Sequence, residues 1–117
     1  MRCGQVTHGR SVLAKRTERA VSLWERLRGL LGRVSLGPDA ALLIERCGSV
    51  HTVGMRFAID LVFLDRAWRI VRIVRNVRPG RLMVCGGLRA VRTLESEAGC
   101  LDFTRLQPGD TLGWEER

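Results

Sequence analysis

Two apolar stretches of strand length, Ala40-Ala41-Leu42-Leu43-Ile44 and the Leu/Val/Phe-rich Ile59–Leu64, constrain this chain more than any other feature. Gly37-Pro38-Asp39 precedes the first, and Asp65-Arg66-Ala67 forms a tight connection after the second. Apolar runs this short, bounded by turn residues, read as strands buried on both faces. Neither approaches the roughly 20 residues needed to cross a bilayer as a helix, so no membrane partner is expected. The 117 residues suffice for one domain. A composition of 45% hydrophobic and 27% charged residues is globular.

Other elements follow from local patterns. Val12-Leu13-Ala14 is a short strand candidate, and residues 1–11 before it read as a tail, leaving 12–117 as the single domain. Thr17 stands where a helix N-cap belongs. Beyond it Ala20, Val21, Leu23, Trp24, Leu27, Leu30 and Leu31 recur at three- and four-residue spacing, predicting an amphipathic helix of three to four turns ended around Gly29–Gly32. Trp68 to Arg75 places arginines among β-branched residues, as a strand with one wet face does. Ala90 to Leu94 and Thr111 to Trp114 complete the strands, with a helical or irregular piece over 98–106. Gln107-Pro108-Gly109-Asp110 predicts a type II turn. One helix plus five or six short strands predicts an α+β domain with a curled, mainly antiparallel sheet.

Charge and cysteine usage narrow the function classes. Twenty basic residues against 12 acidic give a net charge of +8, and Lys15 is the single lysine. Arginine pairs bidentately with phosphate, and Arg69, Arg72, Arg75, Arg78 and Arg81 form a basic series near one strand and loop. A nucleic-acid-binding module using this arginine-rich face is therefore one reading. A solvated basic face is the other, because no aromatic stacking pair interleaves the series. Cys3, Cys47, Cys85 and Cys100 are widely spaced, without a CxxC pair, so free thiols are expected and no disulfide. The first residues lack the apolar stretch of a signal peptide, which makes a cytoplasmic location the expectation. Cys47 and His51, with His8 as a third ligand, do not match the paired spacing of structural zinc sites, so neither metal nor cofactor is expected.

Five blocks then become recognisable: Arg28-Gly29-Leu30-Leu31-Gly32-Arg33, Ala41-Leu42-Leu43-Ile44, the stretch from Cys47-Gly48-Ser49-Val50-His51-Thr52 through Asp65, Thr93-Leu94-Glu95-Ser96-Glu97-Ala98-Gly99, and Leu106–Leu112. In this order they resemble the domain of unknown function 192 family, in a subgroup carrying His-Thr at positions 51–52. The resemblance implies a compact, barrel-like α+β fold and no established activity. Ala58, Gly54 and Glu97 depart from residues usual in that family.

The polar residues of these blocks supply the candidate site. His51, Thr52, Arg56, Asp60 and Glu95 are expected to form a polar ligand-binding pocket, with Arg56 and His51 facing the ligand and Asp60 and Glu95 orienting them. Arg56 is expected in the loop before Ile59, turned toward Glu95 at the end of strand 90–94. Alternatively, Arg56 pairs with Asp60 or Glu95 to pin a connection, and His51 is a neutral core histidine. The reading that follows is a small binding or accessory module for a small anionic or hydroxyl-rich ligand or a protein partner. A small hydrolase built on Cys47 or Ser49 with His51 is the further alternative. No nucleophile elbow, P-loop or HExxH motif supports catalysis, so an enzyme is the less favoured class.

Overall fold

The computed structural model describes the backbone of residues 1–117 and the side chains of all but Leu23. The described residues form nine strands and one short helix: β1 (Arg2–His8), β2 (Ser11–Ala20), α1 (Leu23–Arg28), β3 (Ala40–Glu45), β4 (Ser49–Val50), β5 (Ile59–Leu64), β6 (Ile70–Val77), β7 (Val84–Cys85), β8 (Arg92–Glu97) and β9 (Leu112–Glu116). Seven strands make one sheet in the order β6-β5-β8-β3-β2-β1-β9, while β4 and β7 pair separately. The β2–β3 pair is parallel and the other pairs are antiparallel.

The sheet curls until its two edges touch at one bridge, Arg69 to Thr111. There the Ile70 N–H donates to the Asp110 carbonyl at 2.7 Å, and the Leu112 N–H to the Trp68 carbonyl at 2.9 Å. The Gly109 N–H adds a bond to the Ile70 carbonyl at 2.8 Å. β6 and β9 form no ladder beyond this point, so the barrel expected from the sequence is not closed. The fold is mostly β with little helix, not the α+β domain predicted.

The two apolar runs do what their composition dictates. All six residues of β3 and all six of β5 are buried. Successive side chains on a strand point to opposite faces, and here each face meets its own core. Ala41, Leu43, Val62, Leu64 and Leu94 join the cluster enclosed by the curl, with Phe103, Leu106 and Leu112. Leu42, Ile44, Ile59, Leu61 and Phe63 pack on the outer face, under Leu30, Met55 and Val84. Strands covered on both sides need no polar face, hence runs broken only by Asp60 and closed by Glu45.

The predicted long helix is the main error of local reasoning. Thr17 is a buried strand residue whose hydroxyl donates to the Ala14 carbonyl at 3.2 Å rather than capping a helix. Arg16–Ala20 run parallel to Ala40–Ile44. The buried positions of β2 are Ala14, Thr17 and Ala20, three residues apart, which imitates a helical face. Part of the cause is a bulge: Gly4 and Val6 of β1 oppose Thr17 and Ala14 of β2, two steps against three. The helix itself begins at a Ser22 capping box, in which the Ser22 hydroxyl accepts from the Glu25 N–H at 3.2 Å and the Glu25 carboxylate accepts from the Ser22 N–H. After six helical residues it ends at Gly29, whose φ of 50° few other residues adopt. Trp24 and Leu27, expected on its buried face, are 71% and 64% exposed.

The first eleven residues are not a tail. Arg2–His8 lie between β2 and β9 as an interior strand, although Val6 is the single fully buried hydrophobic side chain they supply to the core.

Turn chemistry was read more successfully. The Asp110 N–H donates to the Gln107 carbonyl at 3.1 Å and Gly109 has a φ of 97°, as the type II turn demands. The Asp65 carboxylate accepts N–H bonds from Ala67 and Arg69, both at 2.9 Å, and closes the β5–β6 connection.

Candidate functional site

Among the apolar side chains on the outer face of the sheet, one carboxyl is buried. Glu95 sits in the middle of β8, opposite Leu42 of β3 and Leu61 of β5, and is 4% exposed. The strand begins two residues later than its sequence pattern suggested, so Glu95 lies within the sheet rather than emerging at a strand end. Its carboxyl lines a cavity of about 90 Å³ between the sheet, the end of α1 and the segment leading from β3 into β4.

Leu30, Ile44, Cys47, Ser49 and His51 also line this space. No hydrogen-bond donor among the described residues reaches the Glu95 carboxyl. Burial alone pushes its pKa up to about 7, because an ionised carboxylate loses its hydration there without a compensating partner. A polar group at that depth without a partner is uncommon in a folded protein.

The cavity wall from Cys47 to His51 is held by backbone bonds. The Cys47 N–H donates to the Val91 carbonyl at 2.9 Å, and the Thr93 hydroxyl donates to the Cys47 carbonyl at 2.8 Å. The Cys47 thiol donates to the Ser49 carbonyl at 3.1 Å. Burial pushes that thiol up in pKa, and the neighbouring Glu95 charge pushes the same way. A thiol so placed stays protonated and is a poor nucleophile. His51 is exposed, at the cavity's edge. Arg26 and Arg28, in the last turn of α1, also line the cavity. Their only local signal was their position just before the helix-ending Gly29.

The five side chains expected to converge are thus divided. Glu95 and His51 share the cavity. Thr52 is fully buried and works as a clamp: its hydroxyl donates to the Arg78 carbonyl at 2.7 Å and accepts from the Arg81 N–H at 2.9 Å. Asp60 is a second clamp, accepting from the Asn76 N–H at 2.7 Å and the Gly99 N–H at 3.0 Å. Asn76 has a φ of 55° and Gly99 a φ of 81°, so Asp60 fastens the irregular end of β6 and the turn after β8 to β5. Arg56 is exposed and, among the described residues, makes no hydrogen bond or ion pair. It pairs with neither Asp60 nor Glu95.

The basic series on β6 is largely engaged. Arg69 is bonded to Asp65 at 3.1 Å, Arg72 donates to the Cys85 carbonyl, and Arg75 lies 6.0 Å from the centre of the Phe103 ring. Arg78 and Arg81 remain exposed. His8, once a candidate third metal ligand, lies 3.1 Å from Asp110 instead. No group of three or more metal-ligating side chains occurs among the described residues. No helix among them is long and apolar enough to cross a membrane.

Fold and site together define a class: small mixed-sheet domains with a polar cavity set against one face of the sheet. Residues 5–114 match the family model described as an uncharacterized ACR, so the chain belongs to the domain of unknown function 192 family. It is similar in structure to a protein of unknown function from Novosphingobium aromaticivorans, at 22% identity and a TM-score of 0.80, over 96% of this chain and 84% of that one. It is also similar to a protein described as a candidate transcription regulator of Sinorhizobium meliloti, at 22% identity and a TM-score of 0.76, over 97% of this chain and 92% of that one. A search of curated proteins returned no match.

Proposed function

We propose that this protein is a small binding module whose cavity takes the hydroxyl-bearing end of a small ligand. The observation that carries this reading is the buried Glu95 carboxyl, facing the cavity without a donor among the described residues. A protonated carboxyl donates one hydrogen bond and accepts others, and a hydroxyl answers both roles. A space of about 90 Å³ is far below the ~300 Å³ of a typical drug-sized pocket. It suits a fragment of a few non-hydrogen atoms, with the rest of the ligand outside.

Of the two ligand chemistries expected from the sequence, the hydroxyl-rich one is favoured, because an anionic group beside Glu95 would meet like charge above neutral pH. Arg26 and Arg28 give an acidic substituent elsewhere on the ligand a counter-charge. The hydrolase alternative is weakened by the Cys47 thiol, which is held in its protonated form and bonded to a carbonyl.

Amide NMR titration at pH 6 with glycerol and with glycerate tests the reading. Saturable shifts at Cys47–His51 and around Glu95 are expected with either compound, and Glu95→Leu should abolish them while remaining folded. Absence of saturable shifts, or equal shifts in the variant, overturns the proposal.

A further inference from the structure

A second concave surface lies at the end of the sheet where β2 and β3 finish and β8 begins. It encloses about 670 Å³ and is lined by Arg2, Arg19, Arg46, Arg66 and Arg92 around Glu45. Five guanidiniums line it with one carboxylate, and because Arg2 also pairs with Glu116 at 3.7 Å, the formal excess is three. None of these arginines belongs to the basic series on β6.

The floor is rigid. Glu45 accepts from Arg92 Nε at 3.0 Å and from Arg19 at 3.3 Å, so one carboxylate is shared by two cations. Both guanidiniums also lie over the Trp68 ring, at 5.6 Å for Arg19 and 4.4 Å for Arg92, and Arg92 donates to the Asp65 carbonyl at 2.9 Å. The rim is free. Arg46 and Arg66 are exposed and make no hydrogen bond or ion pair among the described residues. Arg46 holds a φ of 51°, uncommon for a residue with a side chain and the point at which the chain turns out of β3.

We propose that this groove binds the phosphodiester backbone of a nucleic acid without regard to sequence. Arginine is the side chain suited to phosphate oxygens, through its planar fork of donors. Five of them, supplied by β1, β2, the β3–β4 turn, the β5–β6 turn and β8, are spread over an open trough rather than gathered into a cradle for one phosphate. That spacing suits a row of charges. The indole face of Trp68 is already occupied by guanidiniums, so it offers no platform on which a base could stack, and the contacts left are to the backbone. This inference is independent of the Glu95 cavity.

Fluorescence anisotropy with labelled duplex DNA and single-stranded DNA of unrelated sequences, over a series of salt concentrations, is the test. Binding should weaken steeply with salt and barely depend on sequence. The double variant Arg46→Glu/Arg66→Glu touches two unbonded side chains, so the fold should persist, as circular dichroism checks. It should flatten the log–log salt slope by about two units, one for each lost phosphate contact. A charge-matched control, Arg78→Glu/Arg81→Glu on the loop after β6, should leave the slope unchanged. Equal flattening by both pairs would reduce the effect to net charge and overturn the proposal. No binding at low salt would overturn it too. So would tighter binding to phosphatidylserine–phosphatidylcholine vesicles than to DNA, which would assign the groove to a lipid surface.

Discussion

Glu95 shows at the scale of one residue how burial without a partner becomes a pH-dependent property. Its carboxyl titrates at about 7 in the folded protein against an ordinary value of 4.5, so between these values the folded state holds a proton that the unfolded state has released. The contribution of Glu95 to stability is then greatest below pH 4.5, falls as pH rises toward 7, and levels off above it. The difference of about 2.5 units corresponds to roughly 3 kcal/mol. Subtracting the melting curves of Glu95→Gln from those of the wild type, between pH 4 and 8, should isolate this decline; parallel curves would show that burial does not perturb the group. Asp60 has the opposite character, since two backbone N–H groups depend on it. Asp60→Ala should cost roughly 3 kcal/mol in denaturant unfolding, whereas Arg56→Ala, at an exposed and unbonded side chain, should stay within about 0.5 kcal/mol. A large loss from Arg56→Ala would mean that it pairs in solution after all. Sequence reasoning grouped Thr52, Asp60 and Glu95 with His51 and Arg56 in one polar site; the first three are buried and the other two exposed. Among the buried three it did not separate the two that bond to their own backbone from the one facing a cavity, because that depends on which loop each side chain meets.

The elements differ in how far their own residues determine them. β3 and β5 were legible because burial on both faces favours apolar residues at nearly every position, Asp60 and Glu45 being the bonded exceptions, and the turns at 65–69 and 107–110 because Asp, Pro and Gly define them locally. The helix was over-read because Ala20 belongs to β2, while Val21, Trp24 and Leu27 repeat at helical spacing yet are exposed. Its exposed Trp24 gives a direct check: Trp24→Ala should change stability by less than about 0.5 kcal/mol, where a tryptophan on a buried helix face would cost about 3–5 kcal/mol. Ser22→Ala should cost about 1 kcal/mol by opening the capping box, read from thermal or urea unfolding. Just after β7, Gly86 is packed so closely that an added Cβ would collide with the Phe63 ring and come within 2.7 Å of the Ala90 Cβ. Gly86→Ala should therefore destabilise by at least 1–3 kcal/mol, as overpacking of a full core does.

For the molecule as a whole, Cys3, Cys47, Cys85 and Cys100 are free thiols, so added reductant should leave the melting temperature unchanged. A drop of several degrees would reveal a bridge, since a native disulfide contributes about 2–4 kcal/mol. The strand order makes the sheet a product of distant pairings: β1 joins β9, β3 joins β8, and the edges meet between residues 69 and 111. The sequence by itself determined the pieces with local causes: the two buried strands, the turns, the end of the helix at Gly29, and the presence of polar groups among apolar ones. Tertiary structure alone decided that residues 2–8 form an interior strand, that Glu95 faces a cavity on the outer side of the sheet, and that Glu45 meets Arg92, 47 residues away. Strand register sets those meetings, and register arises from packing two apolar faces at once. No short window of sequence contains both partners, so neither the cavity nor the arginine groove could be read before the sheet was assembled.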